Sequence, residues 1–132
     1  MNFFEKELRN MFGKSEMLQD AKFCGRVMLS RLDDDLRLKL QFKSIGTADH
    51  YNAIEAKVLN RNDGEVDKQV FLFKDIIGFR KGDIGYMEPY IWDYRGEVSW
   101  YTPVLDSEKA RIAQAVLDYA GMFQHQGMVQ AM

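Results

Sequence analysis

The stretch Leu36-Arg37-Leu38-Lys39-Leu40-Gln41-Phe42-Lys43 alternates apolar and polar residues without a break. A period of two is the mark of a strand with one buried and one wet face. Such a strand needs a partner, and Phe23 to Leu32 reads as one, with Asp33-Asp34 as the turn between them. A two-residue loop sets Leu29 opposite Leu38 and Val27 opposite Leu40, and it sets Met28 opposite Lys39 and Ser30 opposite Arg37. One face is then aliphatic and the other mostly polar, whereas a slip of one residue would mix them.

Further strands follow. Asn52 to Asn60 is strand-like, and Asp63-Gly64 is the strongest hairpin signal in the chain. A two-residue loop there pairs Ile54 with Phe73 and Ala56 with Phe71. The opposite face, with Glu55 against Leu72 and Lys57 against Val70, is less clean. It implies a bulge or partial cover, and we favour partial cover. Asp75 to Glu88 contains Gly78, Gly82 and Gly85 and reads as a loop opening with one helical turn. Tyr90 to Tyr94 and Glu97 to Tyr101 flank Arg95-Gly96 as a further hairpin, and Pro103 cannot continue a central strand.

The two ends read as helices. Asn2 caps the first, with Phe4, Leu8 and Met11 on one face and Gly13 as its stop. Ser15 to Asp20 is expected to be irregular. Asp106 is expected to cap the last helix, whose apolar stripe is Ile112, Val116, Ala120 and Phe123; the residues from Gly127 are expected to fray. The expected fold is therefore one α+β domain over 1–132, an antiparallel sheet of about five or six strands with both terminal helices on one face. Its expected core is Phe4, Leu8, Val27, Leu29, Leu36, Leu38, Leu40, Phe42, Ile54, Ala56, Phe71, Phe73, Ile112, Val116, Ala120 and Phe123.

Composition narrows the function classes. The chain has 132 residues, 46% apolar and 29% charged, which suits one soluble domain. A net charge of −2 gives no global attraction for nucleic acid. One cysteine, Cys24, allows no internal disulfide, and two histidines with it cannot supply four zinc ligands. No apolar run spans a bilayer, and Met1 to Glu7 lacks the pattern of a signal peptide. A cytoplasmic protein without membrane contact is the expectation.

Candidate chemical groups are few. Asp33, Asp34 and Asp35 could offer hard oxygen ligands, but adjacent residues of an extended chain diverge, and a solvated turn is the better reading. His50 with Asp49 could act as an oriented acid or base, and His125 lies near a helix end. Cys24 reads as a small hydrophobe, with Lys22 and Arg26 nearby. Gly78 to Gly85 has glycines and two cations but lacks the lysine-serine/threonine ending of a phosphate loop, and reads as a surface loop. No catalytic constellation, cofactor or metal site follows.

Two surfaces remain. Arg26, Arg37, Lys39 and Lys43 are expected on one face of the first hairpin, where they would track a single-stranded nucleic acid or simply be solvated. In the Tyr90–Tyr101 hairpin, Tyr90, Trp92 and Tyr94 fall on one side with Tyr101 opposite Tyr90, while Ile91, Val98 and Trp100 fall on the other. Only one side can face the core. Tyrosine, tryptophan and arginine dominate protein-binding hot spots, so Tyr90, Trp92, Tyr94 and Arg95 are the expected anchors, with Arg80 and Lys81 as a polar rim. The counterpart is a protein partner or a second copy in a homodimer.

Three stretches carry a resemblance. They are Met1-Asn2-Phe3-Phe4-Glu5-Lys6-Glu7-Leu8 with Met11-Phe12-Gly13; Ala48-Asp49-His50-Tyr51 running to Leu59-Asn60-Arg61 and Asp63-Gly64; and Ile91-Trp92-Asp93-Tyr94-Arg95-Gly96-Glu97 with Trp100-Tyr101. Together they resemble a family of small accessory proteins carried by integrative mobile elements of Gram-positive gut bacteria. The match covers roughly a third to a half of the chain, and its patterns are structural, so no active-site residue comes with it. The resemblance implies a cytoplasmic accessory protein, and an anti-CRISPR-like inhibitor of a host nucleic-acid-processing or defence enzyme.

Overall fold

Leu38, Leu40 and Phe42 are fully buried, and Arg37, Lys39, Gln41 and Lys43 are half-buried, as the alternation requires. They form β3 (Arg37–Lys43), the central strand of a five-stranded antiparallel sheet in a computed structural model that describes residues 2–46, 50–82, 85–92 and 101–124. The strands β1 (Gln19–Cys24), β2 (Val27–Arg31), β3, β4 (Ala53–Leu59) and β5 (Glu65–Leu72) lie in chain order across the sheet. The helices α1 (Phe3–Phe12) and α3 (Asp106–Gln124) share one core with the sheet's inner face, which confirms an α+β fold. Leu8, Phe12, Ile112, Val116 and Ala120 meet Met28, Leu38, Leu40, Ile54 and Ala56 there.

Asn2 caps α1 through its Oδ1, which accepts from Glu5 N–H at 2.7 Å. The cap of α3 differs from the sequence reading. Leu105 is the capping position, because Glu108 Oε1 reaches back to accept from Leu105 N–H at 2.8 Å, and Leu105 O begins the helical bonding. Asp106 sits one residue inside and is fully exposed.

The expected single strand from Phe23 to Leu32 is two strands. Gly25 takes φ +59°, a left-handed conformation suited to glycine, and Gly25-Arg26 closes a tight hairpin with Cys24 opposite Val27. β1 thereby absorbs part of the stretch expected to be irregular.

The register of β2 on β3 is also shifted by one. Met28 faces Leu40 and Ser30 faces Leu38, while Val27 faces Gln41 and Leu29 faces Lys39. The turn is longer than two residues: Leu36 O accepts from both Leu32 N–H and Asp33 N–H. Asp33 Oδ1 accepts from Asp35 N–H at 2.8 Å and Leu36 N–H at 2.9 Å, filling the loop with its own carboxylate. Met28 and Ser30 therefore point into the core in place of Val27 and Leu29. Ser30 is tolerated there because β1 bulges between Gln19 and Lys22, and Gln19 O accepts the Ser30 hydroxyl at 2.9 Å.

β4 pairs with β5 two residues away from the expected register, so the faces are preserved: Ile54 meets Phe71 and Ala56 meets Gln69. Asn60 stretches the turn by accepting from Asn62 N–H and Gly64 N–H, both at 2.9 Å. A bulge lies between Val58 and Leu59, and at the other end of the outer face Ala53 is fully buried opposite a half-buried Leu72, so the pair has both the bulge and the favoured partial cover. Phe73 leaves the ladder and opens α2 (Phe73–Ile77), fully buried.

The glycine-rich loop is mostly a second small sheet. β6 (Arg80–Gly82) pairs antiparallel with β7 (Gly85–Tyr90), and β7 pairs in parallel with β8 (Tyr101–Pro103). Tyr101 stands against Glu88, not against Tyr90 as the hairpin reading had it. The chain after Tyr90 is engaged elsewhere: Ile91 N–H donates to Tyr51 O at 2.9 Å, and Trp92 O accepts from Tyr51 N–H at 3.0 Å. The Arg95-Gly96 turn and the residues from Gly127 lie outside the described residues.

Candidate binding face

Helices pack on one side of the five-stranded sheet, so period-two geometry assigns every second residue to the other side. Register defines the rows on that outer side. Lys22, Leu29, Lys39, Lys57 and Lys68 form one row across all five strands, each directly opposite the next. Val27, Gln41, Glu55 and Val70 form the row on one flank; Arg31, Arg37, Leu59 and Glu65 form that on the other. Most of these side chains are half-exposed, and Lys22, Arg31, Glu65, Lys68 and Val70 are exposed. Val27, Leu29, Lys39, Lys57, Leu59, Asp63 and Glu65 line a shallow groove of about 400 Å³.

The charges on this face are unevenly paired. Arg37 is bound to Asp63, and Arg31 reaches Asp20 at 3.2 Å. Lys57 lies 3.7 Å from Glu55 and 3.8 Å from Glu65, using both carboxylates of the sheet's middle. Among the described residues, Lys22, Lys39, Lys43 and Lys68 make no ion pair with an acidic side chain. Three lysines in succession, Lys39, Lys57 and Lys68, stand directly opposite one another. Like charges in that position cost stability, so the row is not explained by the fold's own needs.

Arg37, Lys39 and Lys43 thus share a face as expected, but Arg26 does not join them. The Arg26 guanidinium donates to the Tyr51 hydroxyl at 2.8 Å and lies 5.1 Å from the Tyr51 ring centroid, drawn to an aromatic cluster at the sheet's end. Lys22, Lys57, Lys68, Val27, Leu29 and Leu59 belong to the face but were not among the expected site residues.

The two described aromatic anchors, Tyr90 and Trp92, pack against the fold. Tyr90 is only 7% exposed and packs edge-on to His50 at 5.1 Å. Trp92 is half-buried, with its ring 5.4 Å from Phe4 and 5.5 Å from Tyr51. Phe4 of α1 and Tyr51 pack against it. Arg80 donates to Thr102 Oγ1 at 3.2 Å and Pro103 O at 2.6 Å, and pairs with Glu108, so it fastens β8 to the start of α3. Lys81 is exposed. Tyr94 and Arg95 lie outside the described residues, as do Asp49 and His125.

Among the described residues, the other candidate groups do not converge. Asp33 caps its own loop, Asp34 and Asp35 pair with Arg31 and Arg61, and His50 is buried against Tyr90. Cys24 is exposed at the β1 turn. Among the described residues no group of three metal-ligating side chains gathers. A second groove, about 450 Å³ between α1 and α3, contains the buried Glu7 carboxylate 2.8 Å from Lys109 Nζ. Burial alone would lower the Lys109 pKa, but Glu7 and Asp106 beside it outweigh that and hold it above its ordinary value. Its charges are satisfied by each other, and it reads as a helix–helix seam.

Set against protein-family models, curated proteins and solved structures, the chain has no significant match.

Proposed function

We propose that this chain is a non-enzymatic protein-binding module, and that its contact surface is the open face of the five-stranded sheet. The observation that supports it is the pairing of the Val27–Leu29–Leu59 groove with Lys39, which lines it, and with Lys22 and Lys68 in the same row, none of which has an acidic partner among the described residues. Protein interfaces combine an apolar centre with a charged rim, and complementary charge guides the encounter. The resemblance to mobile-element accessory proteins makes an inhibitor or adaptor of a host nucleic-acid-processing or defence enzyme the role proposed here.

The second reading is a single-stranded nucleic-acid-binding protein, favoured by Arg37, Lys39 and Lys43 on one face. Single strands are held chiefly by stacking bases on aromatic rings, in addition to phosphate contacts. The rows from Lys22 to Lys68 contain aliphatic residues and no ring. That favours a protein partner.

The test compares capture from a host lysate by wild type and by Leu29→Asp/Lys39→Glu. Both substitutions fall on the open face, so the melting temperature should change little. Loss of the partner with an unchanged melting temperature is the expected result. Capture of the same proteins by both forms would refute the surface.

A further inference from the structure

The lysine row has a direction and a spacing, and both restrict what can lie on it. It crosses the strands at right angles. Neighbouring strands are about 4.8 Å apart, so Lys39, Lys57 and Lys68 present one ammonium per strand at about that interval, with Lys22 two strands further on. An α-helix advances about 5.4 Å per turn and can present one side chain per turn on a given line. Over three strands the mismatch is only about 1 Å, which a flexible lysine stem absorbs. An extended strand along the same row would present same-side residues about 6.7 Å apart and fall out of step at the second lysine.

The charge balance sets the sign of the occupant. The carboxylates of Glu55 and Glu65 both converge on Lys57, leaving Lys22, Lys39 and Lys68 for an acidic counterpart. The groove sets its second property. Leu29 interrupts the row between Lys22 and Lys39, and Val27 and Leu59 flank it, so the occupant must carry aliphatic side chains beside its acids.

Resting on the protein-binding reading above, we propose that the open face receives an acidic amphipathic helix of a partner protein. The helix lies across the strands along the row Lys22, Lys39, Lys57 and Lys68, and its aliphatic edge enters the groove of Val27, Leu29 and Leu59. Its acidic side chains meet Lys22, Lys39 and Lys68, while Lys57 keeps Glu55 and Glu65.

The test is fluorescence anisotropy with the full chain and a labelled synthetic helix of about five turns, carrying glutamate once per turn and leucine beside it. Controls are the same peptide with Gln for Glu, a scrambled peptide of identical composition, and single-stranded oligothymidine. The acidic helix should bind with a salt-sensitive affinity. Lys39→Gln/Lys68→Gln should weaken it about tenfold, as two exposed ion pairs are lost. The Gln and scrambled peptides should bind at least about tenfold more weakly than the acidic helix.

Equal binding of the scrambled peptide, or no binding of the acidic helix, would overturn the helix assignment. Tighter binding of oligothymidine would transfer the face to nucleic acid. The lysate comparison separates the two levels. If the peptide fails but Leu29→Asp/Lys39→Glu still loses its captured partner, only the helix assignment falls. If the captured proteins are unchanged, the protein-binding reading falls with it.

Discussion

The Tyr119 hydroxyl donates to Asp67 Oδ2 at 2.6 Å and so ties the last helix to the outer strand of the sheet. Burial first, and then the Asp67 carboxylate, push the phenol well above its ordinary value. The folded state therefore favours the protonated phenol. Its contribution is complete below about pH 10, the unfolded value, and is lost as the pH rises from there toward the folded value. Urea midpoints between about pH 8 and pH 11 should decline on the alkaline side. Tyr119→Phe should lose about 1.5–3 kcal/mol at neutral pH and decline less steeply. An identical alkaline slope in the variant would count against this bond.

Lys39 and Lys57 face each other across β3 and β4, and Lys57 faces Lys68 across β4 and β5. Lys39→Thr should raise stability by about 0.2–1 kcal/mol, since Lys39 faces Lys57 and makes no ion pair of its own among the described residues. Added salt should stabilise the wild type more than this variant, because screening already relieves the repulsion. Chemical denaturation at low and high salt measures both effects. Destabilisation at low salt would show that the Lys39 side chain contributes more by packing on the face than it loses to Lys57.

The register of β2 makes a paired prediction. Leu38→Ala empties a fully buried site and should cost about 2–5 kcal/mol. Leu29→Ala, on the open face, should cost less than about 1 kcal/mol. Comparable losses at both positions would restore the register expected from a two-residue turn.

Asn52 is fully buried and joins three segments. Its Oδ1 accepts from Ile45 N–H at 2.8 Å, and its Nδ2 donates to Ile45 O and Glu88 Oε1, both at 2.9 Å. Asn52→Asp removes both donated bonds and sets a second carboxylate against Glu88. It should destabilise by about 1–3 kcal/mol or more at neutral pH. Part of the loss should return as the pH falls toward about 4, where one carboxyl is protonated. Thermal melts at the two pH values decide it.

Removing the Arg80 side chain should free β8 from α3. Arg80→Ala leaves Glu108 partly buried and without its cation, and should cost about 1–3 kcal/mol. Hydrogen exchange should rise first at Thr102 to Lys109. Loss spread evenly over the chain would contradict a local fastening role.

The strands with strict alternation were legible. β3, most of β4 and both terminal helices follow from period alone, because burial of one face leaves a chain little choice. What failed was the counting of turns. Asp33 and Asn60 bond to their own loops through their side chains, and each bond lengthens the turn beyond the shortest closure. Ser30 looked like a solvent residue because the Gln19 carbonyl that satisfies it lies in another strand. The open face was half legible: Arg37, Lys39 and Lys43 share a strand, but Lys22, Lys57 and Lys68 join them only once the registers are known. The aromatic segment misled because Trp92 finds its cover in α1, about ninety residues earlier in the chain.

The Asp33 loop has a consequence for how this surface can change through descent. A strand has two sides, and the parity of the loop length decides which of them looks outward. With the shorter turn, Val27 and Leu29 would be sealed inside, and Met28 and Ser30 would be displayed. A single-codon deletion between Leu32 and Leu36 would therefore exchange the inner and outer wardrobes of β2 without altering any residue of the strand. The recognition chemistry of the face is written as much in the length of a polar loop, five residues from Leu32 to Leu36, as in the side chains that line the groove.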